Sequence, residues 1–97
     1  MNICKDLNEV RENIDRIDNQ IVKLIAERSY YVKQAANFKK DSEDVKAPNR
    51  VEMVIEKVRK IAADNNLNPD IIDIVYRNMI NSFINMELEE HRHIKSK

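Results

Sequence analysis

The sequence predicts an all-α fold of three helices, one long, one short and one medium, in an intertwined homodimer. Three observations carry this. Apolar residues recur at steps of three and four along three stretches, and nowhere do they alternate singly as on a half-buried strand. Polar segments separate those stretches and end at Pro48 and Pro69, and proline suits a first helical position. The chain has 97 residues, enough for one domain spanning 1–97 but few for a generous core of its own.

The long helix starts after Asp6, an N-cap with Glu9 in capping-box spacing, and its pattern runs to about Lys40. At the helical rise that is ~50 Å. The polar stretch DSEDVKAP then separates it from the short helix, whose apolar face is Val51, Val54, Ile55, Val58 and Ile61 and which fades at Asp64, Asn65 and Asn66. Asn68 and Pro69 make the next cap and first turn, and Ile72, Tyr76, Met79, Ile80, Phe83 and Ile84 carry the medium helix toward Glu90. From about residue 91 the tail HRHIKSK is expected to fray. One short and one medium helix cannot cover an apolar seam ~50 Å long, so a second copy is expected along it.

Composition excludes several kinds of chemistry. Seventeen Lys and Arg balance seventeen Asp and Glu, which leaves no basic field to attract nucleic acid or anionic lipid. No glycine is present, so phosphate-cradling loops, dinucleotide fingerprints and nucleophile elbows are ruled out. Cys4 has no second cysteine to pair with and is read as a thiol at a frayed end; with His91 and His93 far away it makes no zinc-spaced cluster. These readings predict a protein without metal or cofactor. MNICKDLNEV lacks the apolar core of a signal peptide, and no stretch approaches the ~20 apolar residues that span a bilayer. The expected location is the cytoplasm, away from membranes.

One face of the long helix reads Arg11, Ile14, Asp18, Ile21, Ile25, Arg28, Val32, Ala35, Lys39. A cation on a buried-looking face is costly unless an anion meets it, so three of them imply internal carboxylates or an anionic ligand. Arg28 and Lys39 would fall ~20° apart around a helix and ~16 Å apart along it, close enough to converge on one small anion. Arg11 is roughly 25 Å from Arg28 along the axis and would join them only from a second chain. Glu87 follows Phe83 by four and Ile84 by three, which turns it toward the apolar side of its helix.

In order and spacing, VRENIDRIDNQIVKLIAERSYYVKQAANFK, APNRVEMVIEKVRKIA and YRNMINSFINMELEEH together resemble the all-α chorismate mutases and, within them, the isochorismate-pyruvate lyases. The resemblance covers nearly the whole chain and implies an interlocked dimer of three-helix chains. It implies a site using Arg11 from the partner chain with Arg28, Lys39, Arg50 and Glu87, and a small dianionic substrate. Arg11 and Arg28 would fork onto the two carboxylates. Lys39 would meet a carboxylate and the ether oxygen, and Arg50 would steady the loop-proximal wall or bind the ring side. Such a rearrangement needs no metal or cofactor, only a compact conformer and stabilised charge. An ether oxygen only accepts, so Glu87 facing it would have to be protonated; otherwise Glu87 is a salt-bridge partner of a site cation.

The resemblance implies chorismate rearranging to prephenate, in aromatic amino acid biosynthesis. Its alternative is isochorismate giving salicylate and pyruvate, in salicylate biosynthesis. Mutases commonly carry Asp shortly before the arginine of the second helix and Glu directly after it, where this chain has Ala47 and Val51; APNRV instead matches the lyase branch. Glu87 stands where bacterial members and the lyase use Gln and fungal mutases use Glu. A third reading, a non-catalytic helical regulatory module, draws on those same departures. The bland rivals for single residues are ordinary ion pairs: Arg11 with Glu12 or Asp15, Arg28 and Lys39 with Asp18 and nearby acids, Arg50 solvated, and Glu87 part of the acidic end with Glu89 and Glu90.

Overall fold

The computed structural model describes residues 3–95, with side chains described through Glu90. Those residues form four helices: α1 (Leu7–Ala36), α2 (Ser42–Lys46), α3 (Pro48–Asp64) and α4 (Pro69–Lys95). The all-α expectation holds, with α2 as an addition. Two compact units result, one ending at Asn37 and the other beginning at Phe38.

In the first unit α1 begins as its cap dictates. The Asp6 carboxylate accepts the backbone N–H of Glu9 at 2.8 Å, satisfying one of the first-turn donors. Ahead of the cap, Cys4 is held rather than frayed, its sulfur 3.6 Å from the amide nitrogen of Asn13. No residue of α1 is buried. Leu7, Val10, Ile14, Ile17, Ile21 and the neighbouring Leu24 are all exposed, and their steps alternate three and four as on a coiled-coil seam.

The end of α1 corrects the sequence reading. The helix stops at Ala36, not near Lys40, so it is about 45 Å long. In a continuing helix the Lys40 N–H would donate to the Ala36 carbonyl; instead it donates to the Asp44 carboxylate at 3.0 Å. Asp44 in turn gives its own N–H to the Asp41 carboxylate at 2.9 Å, and this N-cap starts α2. Lys39 therefore belongs to no helix, and its supposed phase with Arg28 around a common axis does not apply.

In the second unit α2 and α3 both pack on α4, with Val45, Ile55, Val58, Ala62 and Ile80 buried between them. Ala47 joins α2 to α3 in the left-handed conformation, φ 39°, and Pro48 follows at the first helical position. Asn66, φ 59°, closes α3: the N–H of Leu67 reaches the Ala62 carbonyl at 2.9 Å and that of Asn66 the Ala63 carbonyl at 3.2 Å. The Asn68 side chain then caps α4 by accepting the Asp70 N–H at 2.9 Å. α4 continues to Lys95, into the segment expected to fray, and residues 96 and 97 lie outside the described ones.

Candidate active site

Of the residues proposed from sequence, the structure brings Lys39 and Glu87 into contact. The Lys39 ammonium donates to Oε2 of Glu87 at 3.1 Å, across 48 positions of sequence. Both side chains are largely covered, 22% and 10% exposed. Glu87 reaches this place because Phe83, Ile84 and Leu88 occupy the same partly covered face of α4. A charge-assisted bond sheltered from water is stronger than its surface counterpart, and it satisfies a carboxylate that would otherwise be costly to cover.

Arg50 also lies in this unit, exposed, in the first turn of α3. Arg11 and Arg28 are on α1, the first exposed and the second half-buried. Their separation along one continuous helix is seventeen residues, or roughly 25 Å. Among the described residues no group of three or more His, Cys, Asp or Glu could hold a metal ion. No helix of the described residues is long and apolar enough to cross a membrane.

A second charged cluster was missed from sequence. Arg77 clamps Glu52 with two bonds, of 2.8 and 3.1 Å, and donates to Asp73 at 2.6 Å. Asp73 also accepts from Arg59 at 3.0 Å, and Arg59 reaches Asp70 at 3.0 Å. The ladder rivets α3 to α4. Arg77, chiefly by its hydrogen bond, holds the carboxyls of Glu52 and Asp73 below their ordinary range, and the arginines are pushed up in return. The Asp73 to Arg77 spacing of four was the one visible signal; the pairs across α3 and α4 needed the turn between them.

Every candidate residue, from Arg11 to Glu87, falls inside residues 10–88, the stretch that matches the family description "Chorismate mutase type II". The chain belongs to the chorismate mutase type II family. Among relatives of this type II family member, an isochorismate pyruvate lyase of Pseudomonas aeruginosa is 32% identical over 89 residues, covering 92% of this chain and 88% of that one. A chorismate mutase of Methanocaldococcus jannaschii is 34% identical over 70 residues, 71% of each chain. The type II family thus spans two reactions among proteins similar to this one.

Proposed function

We propose that the protein is a chorismate mutase, converting chorismate to prephenate without metal or cofactor. The ether C–O bond breaks as a C–C bond forms in one cyclic electron shift, so no proton or external electron is exchanged. The Lys39–Glu87 pair is the observation that supports this most: it keeps a sheltered ammonium where negative charge could be met. Lys39 serves the ether oxygen, whose charge grows as its bond breaks, and Glu87 stands at the same end. Arg28 and the Arg11 of a second copy hold the two carboxylates, and Arg50 lines the ring side. These groups select the compact conformer and stabilise its charge.

The homodimer belongs to the same proposal. The exposed series from Leu7 to Leu24 supports it, since an apolar seam of that length calls for a partner with a matching stripe. We place the activity in the cytoplasm, for which the solitary Cys4 is suited. The lyase reaction is the second reading, on the Ala47-Pro48-Asn49-Arg50-Val51 segment.

The test is to incubate the purified protein separately with chorismate and isochorismate and to identify products. Saturable formation of prephenate from chorismate, with no added metal or cofactor, is expected. Salicylate and pyruvate from isochorismate without prephenate from chorismate would make it the lyase. No turnover of either would leave the non-catalytic module.

A further inference from the structure

Lys39 is carried by the segment between the end of α1 and the start of α2, beside the exposed Phe38. A lysine on such a segment is a mobile point charge on a flexible stem, and electrostatic catalysis tolerates little error in aim. Two contacts remove that freedom. The Lys40 N–H is pinned by the Asp44 carboxylate of α2, and the Lys39 ammonium is pinned by Glu87 of α4. The second anchor stands on a long helix within the packed unit.

We propose that Glu87 is a positioning residue that acts on the reaction through Lys39: it takes one N–H of the ammonium and thereby aims the other two at the substrate. The inference rests on the mutase reading, in which Lys39 meets the ether oxygen. An ammonium has three donors, so the bond to Glu87 leaves two to spare. A carboxylate accepting from Lys39 does not itself supply a donor to the ether oxygen, which separates this role from direct hydrogen bonding to substrate. The negative charge also opposes the dianion, so its removal should weaken aim while easing binding.

The test combines Glu87→Ala and Glu87→Gln with the nitrogen-15 signal of the Lys39 ammonium in the substrate-free protein, assigned by its loss in Lys39→Arg. Glu87→Ala should lower kcat by about tenfold or more while KM stays level or falls, the pattern of lost transition-state contact with relieved ground-state repulsion. Glu87→Gln retains an acceptor oxygen and should recover most of that kcat without exceeding wild type. The hydrogen-bonded ammonium signal should be present in wild type, shifted in Glu87→Gln and lost in Glu87→Ala. A Glu87→Gln enzyme faster than wild type at neutral pH would show that a donor, not an anchor, is wanted, and would overturn the proposal. So would normal turnover with a Lys39 signal indifferent to both changes. Wild-type protein inactive on chorismate defeats the mutase reading and this role together, whereas an active enzyme with unchanged Glu87 variants defeats this role alone.

Discussion

The Lys39 ammonium and the Glu87 carboxylate, brought together from the loop before α2 and from α4, sit 3.1 Å apart with little water access. The pair puts the strongest demand on Lys39. In the proposed mechanism its contact with the breaking ether bond strengthens as charge develops, unlike a contact equally good in ground and transition states. Lys39→Ala should therefore lower kcat by about a hundredfold or more, ~3 kcal/mol, with little change in KM in steady-state kinetics. A rise in KM alone would make Lys39 a binding residue.

Arg11 and Arg28 cannot serve one small ligand from a single straight helix, and this predicts complementation. Mixing inactive Arg11→Ala with inactive Arg28→Ala should restore activity, because one site of each heterodimer collects both defects and the other escapes both. Random exchange should return about a quarter of wild-type activity, since half the dimers are mixed and each has one intact site. Confirmed exchange of subunits with no recovery would rule out a shared site.

The ladder on α3 and α4 predicts acid sensitivity. Arg77 lowers the carboxyl groups of Glu52 and Asp73, so their contribution is present above the unfolded values of ~4.3 and ~3.9 respectively and is lost as pH falls through the lower folded ones. Thermal unfolding followed from neutral pH downward should show the midpoint dropping below about pH 4. Asp73→Asn should lower the midpoint near neutrality and flatten that acid limb. Partial exposure keeps each pair's effect small, so the slope is the informative quantity.

Asp44 links the start of α2 to the position of Lys39. Asp44→Ala removes the bond to the Lys40 N–H but spares the Asp41 cap, which uses the main chain of residue 44. Stability should fall by only about 1 kcal/mol, as for other caps, while kcat falls severalfold. Equal kcat in denaturation-matched assays would disconnect the two.

Much of the second unit was legible because proline and asparagine punctuate it. Pro48, Asn66, Asn68 and Pro69 mark both ends of α3 and the start of α4 where the structure has them. The end of α1 was not legible, since Lys39 continues the spacing of Arg28, Val32 and Ala35 by coincidence, and Asp41 with Asp44 reads as a polar loop until the cap of Asp41 on the Asp44 N–H and the bond from the Lys40 N–H to the Asp44 carboxylate are seen. Contact between Lys39 and Glu87 lies beyond any periodicity. The role proposed for both came from family resemblance, and their shared place from the packing of α2 on α4.

The left-handed turn at Ala47 has a further consequence in a chain with no glycine. Alanine there carries ~1 kcal/mol of backbone strain that glycine would relieve. Glycine would also widen the unfolded ensemble, at about 0.4–1 kcal/mol, so Ala47→Gly comes out near neutral. The joint thus rests on what the unfolded chain is denied and not on a gain in the folded one, and a β-branched residue at 47 would keep that restriction but add strain in the left-handed region.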